Sequence, residues 1–439
     1  MSYIPNTDKD RKEIMEVLKI KSPVELYVDV PQSLMVEQLN LPKAKSELEV
    51  KRSLSKMAAK NKVYSSIFRG AGAYNHYIPS IVKSVTSKET FVTAYTPYQA
   101  EISQGVLQSI FEYQTMICEL TGMDASNASV YDGPSAAAEA MNMTRERRRN
   151  KVLVSAAAHP MAIEAIETYF FGNGMEMELI PLKDGITDMD ALKEMLNKEI
   201  AGVYIQHPNY YGLLEDAELA GKLAHEVGAK YVMSINPISG AILKTPREYG
   251  ADIAIGDGQP LGMPISFGGP YVGFMACTNA MLRKLPGRIA GETVDAEGNR
   301  AFVLTLQARE QHIRREKASS NICSNHALMA MVASVYMSAM GPGGMAEAAQ
   351  QSYSKAHYAA EQIAQIPGFK LRHQGHFFNE FLTDIPCSAE KILAHLDKKD
   401  ILGGLPVDDG ILWAVTEMNS KEEIDALVEA LKEVAQQCN

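Results

Sequence analysis

The run Gly202-Val-Tyr-Ile-Gln206 is followed by a helix-length run at 216–227 and then by Lys230-Tyr-Val-Met-Ser234. The two short runs are rich in β-branched and aromatic residues, which favours strands, whereas the stretch between them has the length and apolar spacing of a helix. Strands separated by a crossover helix pair in parallel. This unit therefore predicts a parallel sheet with helices packed against it.

The same alternation continues on both sides of this unit. Further predicted elements are the strands 152–155, 178–181 and 252–255 and the helices 161–170 and 188–197. After Gly268-Gly-Pro270, the run Tyr271–Cys277 is predicted to return as an antiparallel strand. The pattern predicts the α/β class, with a large, mostly parallel, open sheet that has helices on both faces.

Three domains are predicted from the breaks in this pattern. Residues 1–61 are charged and helical and form an N-terminal helical arm, which packs on a partner or on the main domain. Residues 62–344 form the large α/β domain, which ends at the breaker cluster Gly341-Pro-Gly-Gly344. Residues 345–439 form a bridging helix and a small C-terminal α+β domain, in which strands at 377–382 and 410–415 alternate with helices at 388–397 and 420–436.

The composition excludes several classes of function. The formal net charge of −10 and the pI near 5.6 lack the basic character of a nucleic-acid surface. No run approaches the roughly 20 apolar residues of a membrane helix, and the first residues lack the apolar core of a signal peptide. The five cysteines include no CxxC pair, which speaks against a zinc site and a disulfide framework. We expect a cytoplasmic protein without a metal centre.

The stretch Thr93-Ala-Tyr-Thr-Pro-Tyr-Gln-Ala-Glu101 is too polar for a core strand and too aromatic for an ordinary loop. Pro97 fixes its own φ and favours an extended Thr96, so the stretch is predicted to be a stiff loop. Glu101 is predicted to lie in the first turn of the following helix, where a carboxylate suits the dipole. The alternative interpretation is a capped surface loop with two half-buried tyrosines.

A second candidate site is Asp132-Gly-Pro-Ser135, which leads directly into an alanine-rich helix. Glycine permits close approach of the backbone, and the free N–H groups of a helix N-terminus favour an anion such as a phosphate. The alternative is a simple N-cap.

These motifs carry a family resemblance. The run Tyr95–Gly105 resembles the signature of the N-terminal half of glycine decarboxylase, the P-protein of the glycine cleavage system. The similarity continues through 70–79, 111–122 and 127–141 and covers nearly the whole chain. In some members this half is a separate polypeptide. The resemblance implies a fold-type I pyridoxal-phosphate enzyme fold and a role as subunit 1 of a two-chain glycine dehydrogenase (decarboxylating).

The sequence departs from the cofactor-binding half of that family at two places. The strand and turn at 230–236 contain no Asp or Glu for the pyridine nitrogen, and Gln259-Pro260 stands where that half has a His-Lys pair. A pyridoxal-phosphate site needs both the lysine and the carboxylate. The resemblance thus implies that pyridoxal phosphate is bound by the partner subunit and is not held covalently on this chain, and it argues against a free-standing pyridoxal-phosphate enzyme.

The resemblance also implies which partners this chain has and which of its residues form the site. The partners are the pyridoxal-phosphate-binding subunit 2, in a heterodimer or a dimer of heterodimers, the lipoylated H-protein and glycine. The catalytic candidates, which reach the partner's pocket or the channel for the lipoyl arm, are Tyr95, Tyr98, Gln99 and Glu101. A vestigial phosphate loop remains at Asp132, Gly133 and Ser135. The alternative is a structural or regulatory pseudoenzyme subunit.

Three further features of the sequence are weaker candidates for a functional site. Arg309, Arg314 and Arg315 lie in a dense polar stretch and either bind a phosphate or partner carboxylates or form ion pairs with neighbouring glutamates. His159 and His207 each follow a strand, where they either line a pocket or are satisfied loop histidines. Cys323 is a weak candidate for a nucleophile, and the alternative is a buried thiol.

Overall fold

The structure is a computed structural model and describes residues 6–36, 38–322 and 324–438, so that Cys323 lies outside the described residues. The chain divides into two compact units, Met1–Val63 and Tyr64–Asn439. The predicted boundaries of the three domains stay predictions. No helix in the described part of the chain has the length and apolar character needed to cross a membrane.

The first unit contains the helices α1 (Asp8–Leu18) and α2 (Glu47–Ala58). Both begin at a capping box, in which a hydroxyl side chain and the carboxylate three residues later each bond the other's backbone N–H group. Neither helix contains a buried residue, and apolar side chains such as Leu48 and Leu54 are exposed. The helical character predicted for this region is found in α1 and α2.

The second unit starts with short elements and one long helix. In chain order they are β1 (Ser66–Ile67), α3 (Ser80–Thr86), α4 (Glu89–Val92), α5 (Gln104–Thr121), β2 (Ala125–Ser126) and α6 (Gly133–Thr144). The alternating region follows with β3 (Lys151–Ser155), α7 (Pro160–Asn173), β4 (Glu176–Ile180), β5 (Leu182–Lys183), β6 (Ile186–Thr187), α8 (Met189–Met195), β7 (Ile200–Gln206), α9 (Ala217–Glu226), β8 (Lys230–Ser234), β9 (Ile253–Asp257) and β10 (Gly273–Cys277).

The remaining elements include a hairpin, a kinked helix, and a second sheet with two helices packed on it. In chain order they are β11 (Ile289–Val294), β12 (Arg300–Thr305), α10 (Gln311–Arg314), α11 (Ala327–Ala364), β13 (Lys370–Leu371), β14 (Glu380–Asp384), α12 (Ala389–Lys398), β15 (Ile401–Leu402), β16 (Leu405–Val407), β17 (Gly410–Ala414) and α13 (Lys421–Gln436). The helix α11 is kinked at Gly341, whose φ of 61° suits glycine.

Seven strands form the main sheet in the order β2-β10-β9-β8-β7-β3-β4. The five strands from β9 to β4 pair in parallel, and β10 returns antiparallel, as predicted. Alternate residues of β7 point to opposite faces: Val203 packs in the core with Tyr113 of α5, whereas Tyr204 packs with Met141 of α6. Both faces are thus covered by helices, and the carboxyl ends of the parallel strands meet at one edge.

The C-terminal sheet has the antiparallel order β13-β14-β17-β16 and packs on α12 and α13 in a core around the fully buried Trp413. Two expectations about this chain are wrong. The first is the absence of disulfides: Cys387, just before α12, is bonded to Cys438, just after α13, because the packing of these helices brings the two Cα atoms to 5.8 Å. The pairing residues are 51 positions apart, which no local sequence pattern reveals.

The second wrong expectation concerns Glu101, which lies in a turn before α5 and not in its first helical turn. The helix begins only at Gln104 because the side-chain Nε2 of Gln104 donates to the carbonyl of Ala100 at 2.7 Å. That carbonyl is the acceptor that the backbone N–H of a helical Gln104 would need. Ile102, in the same turn before α5, is 80% exposed.

Candidate functional site

A cavity of about 330 Å³ lies at the carboxyl ends of β3, β7, β8 and β9. This edge is where open α/β sheets bind their ligands. The residues that line the cavity come from the strand ends, from the segment 71–74, from the start of α6 and from Asn379 and Glu380. No lysine lines it within the described part of the chain. Lys244 lies elsewhere, exposed, in an ion pair with Glu218 at 3.0 Å.

The N-terminus of α6 is bonded to carboxylates of the chain itself. Asp257 accepts hydrogen bonds from the backbone N–H of Gly133 and of Gln259, each at 2.9 Å. Asp132 accepts from the backbone N–H of Ser135 at 2.8 Å. Burial raises the pKa of Asp257 to about 6. The backbone N–H groups of Gly133 and Ser135, which could otherwise meet a phosphate, are therefore already paired with carboxylates of the chain.

Gln259, in the loop after β9, is fully engaged within the chain. Its side chain is 1% exposed, and its Nε2 donates to the carbonyls of Tyr74 and Met263 at 2.9 and 2.7 Å. Its Oε1 accepts from the backbone N–H of Tyr74 at 2.8 Å. This side chain ties the segment that enters the cavity to the loop after β9, so the residues present do not fit covalently held pyridoxal phosphate.

Glu380 closes the other side of the cavity. Its Oε1 accepts from the backbone N–H of Ala71 at 2.6 Å, and its Oε2 accepts from the hydroxyl of Tyr74 at 2.7 Å. Burial raises the pKa of this carboxyl to about 7. Burial, together with the nearby Glu380 carboxylate, also raises the pKa of Tyr74. The contacts hold the segment 71–74 from a second direction.

Of the two histidine candidates, only His159 lines the cavity. Its Nδ1 accepts from the backbone N–H of Met161 at 3.2 Å, so Nε2 carries the proton and donates to the carbonyl of Ala71 at 3.0 Å. Burial lowers the pKa of His159, which keeps the ring neutral. His207 lies outside the lining and accepts from the backbone N–H of Glu215, and burial lowers its pKa to about 4.

The loop that carries the four predicted catalytic residues is a separate feature. Tyr95 is 84% exposed, Tyr98 is 52% exposed, and Gln99 and Glu101 are also exposed. Pro97 alone among the loop's central residues is buried and anchors it. The structure brings the four side chains together on one surface loop, but none of them lines the cavity. Their catalytic role therefore stays a prediction.

Two residues that the sequence interpretation missed hold this loop. Arg288 donates to the hydroxyl of Tyr98 at 2.6 Å, and its guanidinium lies 4.9 Å from the centre of the Tyr98 ring. Gln104 donates to the carbonyls of Ala100 and Phe302 and accepts from the N–H of Phe302. A turn signal at Gly298 between two β-rich runs could have revealed the hairpin β11–β12, but not the contacts of Arg288 and Gln104.

The arginines of the polar stretch bind backbone carbonyls. Arg309 donates to Leu306 and Gly287, and Arg314 donates to Ala308. In the part of the chain that the structure describes, neither these two nor Arg315 pairs with the neighbouring glutamates, so the expected ion pairs are absent. Within the same residues, no group of three or more His, Cys, Asp or Glu side chains is placed to hold a metal ion.

The fold is that of fold-type I pyridoxal-phosphate enzymes. Two solved structures of low sequence identity share it. A sphingosine-1-phosphate lyase of Burkholderia pseudomallei has a TM-score of 0.68 over 92% of this chain and 94% of that one. A NifS-like protein of Rickettsia africae has a TM-score of 0.62 over 84% of this chain and 99% of that one. Their identities of 13% and 14% support the fold alone.

Closer similarity gives the family. The family model of the glycine cleavage system P-protein matches residues 1–431, and the chain belongs to this family. It is 47% identical to a probable glycine dehydrogenase (decarboxylating) subunit 1 of Desulfitobacterium hafniense, over 99% of this chain and 100% of that protein. The corresponding protein of Listeria innocua is 48% identical, over 98% and 99%.

A solved structure agrees with this assignment. The crystal structure of a glycine decarboxylase (P-protein) of the glycine cleavage system, in inhibitor-bound form, superimposes with a TM-score of 0.94 at 41% identity, over 99% of this chain and 100% of that one. The resemblance read from Tyr95–Gly105 is thereby confirmed at the level of the family.

Proposed function

We propose that this chain is subunit 1 of a two-chain glycine dehydrogenase (decarboxylating), and that it completes the active site of a partner subunit. Glycine is decarboxylated, and the aminomethyl group passes to the lipoyl arm of the H-protein. Pyridoxal phosphate, bound by the partner, supplies the electron sink for this reaction. The family membership of the chain supports the reaction class.

One observation carries the assignment of the cofactor to the partner. Among the described residues no lysine lines the cavity of this chain, and Asp257 already pairs the backbone N–H of Gly133 at the start of α6. A chain of this family with such a cavity can contribute to the reaction only through other surfaces. Its exposed loop Tyr95–Glu101, held by Pro97, Gln104 and Arg288, is the surface best suited to do so.

The loop acts by positioning. Its exposed side chains offer two phenols, an amide and a carboxylate, which can bind, orient or exchange protons with groups of a neighbouring site. Their support is rigid because Pro97 restricts the backbone and Gln104 binds the loop to β12. Rigid support matters because a displacement of about 1 Å in a catalytic group costs on the order of 100-fold in rate.

A second candidate function is that of a stabilising subunit without a catalytic contribution. The pairing of Gly133 and Ser135 with carboxylates of the chain itself favours it, because these backbone donors are then not free for a phosphate. The two candidates differ in one respect: only the first requires the loop residues for turnover by an intact complex.

The experiment that tests the proposal separates the two subunits. Each purified chain is incubated with pyridoxal phosphate and reduced with borohydride, and the peptides are searched for a lysine adduct. We expect a stoichiometric adduct on the partner and none on this chain, and glycine-dependent exchange of bicarbonate only when both are present. A stoichiometric adduct on one peptide of this chain, or full activity of the partner alone, would contradict the proposal.

A further inference from the structure

Arg288 is an unusual buried charge. Its side chain is only 3% exposed, yet in the described part of the chain it forms no ion pair with a carboxylate. Of its five N–H donors, one bonds the hydroxyl of Tyr98, and the Nε–H is buried without any partner. Arginine stays charged in proteins, so this cation is kept out of water and is incompletely solvated by its own chain.

A buried cation of this kind is costly unless an acceptor compensates it. Taking a charge out of water without a partner costs several kcal/mol, even after the surroundings relax. Stacking on the ring of Tyr98, at 4.9 Å, recovers a part of that cost. An acceptor from outside the chain would compensate the rest of that cost.

The contact with Arg288 also decides what Tyr98 can do. A guanidinium only donates, so the Tyr98 oxygen must accept from it, and the hydroxyl hydrogen is then directed to another acceptor. No other described residue bonds this hydroxyl, and the side chain is 52% exposed. Tyr98 thus presents its O–H outward as a hydrogen-bond donor.

We propose that Arg288 is the positioning residue of Tyr98, and that it fixes the Tyr98 hydroxyl as a donor to a carboxylate that comes from outside this chain. The carboxylate belongs to the substrate amino acid or to a side chain of the partner. A carboxylate is the acceptor class that also compensates the buried positive charge. This inference rests on the proposed function, since the loop must face the partner's site.

The test is a double-mutant cycle in the assembled complex, with glycine–bicarbonate exchange as the activity. Tyr98→Phe removes the donor, and Arg288→Met removes the group that directs it. Each single change should lower kcat/KM about tenfold or more, and the double variant should lose little beyond either single variant. Arg288→Lys keeps a cation and a donor and should restore part of the activity. It also provides a second variant if Arg288→Met does not fold.

The control for this cycle is Arg149→Lys. Arg149 is partly buried and donates to two backbone carbonyls, those of Ile200 and Val227, which are not part of the loop. Its variant should keep wild-type activity per assembled complex. Light scattering and thermal midpoints establish assembly and folding for every variant.

The outcomes distinguish the role of the loop from the positioning role of Arg288. Full activity of Tyr98→Phe would overturn the proposed role of the loop itself. Loss in Tyr98→Phe with full activity of both Arg288 variants, or additive losses in the double variant, would overturn only the positioning role of Arg288. A rise in KM for glycine would identify the substrate as the source of the carboxylate. A lower kcat at unchanged KM would identify the partner as the source, and both results support the inference.

Discussion

Replacing Glu380 with glutamine should remove a pH dependence of stability that the wild-type protein has between about pH 4.5 and pH 7. The carboxyl is completely buried, which raises its pKa from 4.5 to about 7 in the folded state. In that pH range the folded chain keeps the proton, whereas the unfolded chain has released it. The stability that Glu380 contributes is therefore fully present below pH 4.5 and is lost as the pH rises through 7.

The size of the effect follows from the two pKa values. Each unit of difference in pKa corresponds to about 1.4 kcal/mol, so the shift from 4.5 to about 7 corresponds to a loss on the order of 3 kcal/mol. Glutamine has the same size and no charge at any pH. Its carbonyl can accept from the N–H of Ala71, and its amide can donate to the oxygen of Tyr74, so both contacts of the wild type have a substitute.

The assay is urea denaturation of wild type and Glu380→Gln at pH 5 and at pH 8, with Glu390→Gln as the control for an exposed carboxylate. Other buried carboxyls with raised pKa values, such as Asp257, are common to both proteins and cancel in the difference. The wild type should lose about 2.5 kcal/mol more than Glu380→Gln over this range, because a part of the total loss has already occurred at pH 5. Parallel losses in the two proteins would refute the assignment of a buried, protonated carboxyl at this position.

Two further predictions concern the loop and the assembly. Gln104→Leu deletes the hydrogen bonds to Ala100 and Phe302, so limited proteolysis should cut the loop Tyr95–Glu101 faster than in the wild type, and the free energy of unfolding should fall by about 1–3 kcal/mol. Gln108→Leu, on the exposed face of α5, is the control. Equal cleavage rates in the two variants would contradict the role of Gln104 in holding the loop. When the chain is co-expressed with its cofactor-binding partner, size-exclusion chromatography with light scattering should show a heterodimer or a dimer of heterodimers, as expected for an interface that buries more than about 2,000 Å² of surface. A monodisperse monomer that does not bind the partner would contradict this.

The main sheet was predictable because its signals are local. Each parallel strand is a short apolar run next to an amphipathic helix, and the antiparallel return of β10 follows the breaker Gly268-Gly-Pro270. The edge of the sheet where the cavity lies follows from that topology. The absence of a lysine at Gln259 could likewise be read from the residues alone.

The support of the loop could not be predicted because it depends on distant pairs. Arg288 and Tyr98 are 190 positions apart, and Gln104 and Phe302 are 198 apart. The Cys387–Cys438 disulfide was missed for the same reason. The start of α5 was misplaced because a side chain, Gln104, takes the carbonyl that the backbone would have used. In each case a tertiary contact overrides a local preference.

The proposed function requires that the loop Tyr95–Glu101 of this chain serves the partner's active site. The most direct measurement is glycine–bicarbonate exchange by complexes that carry Tyr95→Phe, Tyr98→Phe or Glu101→Gln, normalised to intact complex, with Tyr77→Phe as an exposed control outside the loop. Each loop variant keeps the size of its side chain, so assembly should be unchanged and turnover should fall about tenfold or more. Full turnover per complex in all three variants would contradict the claim and would leave the chain as a stabilising subunit.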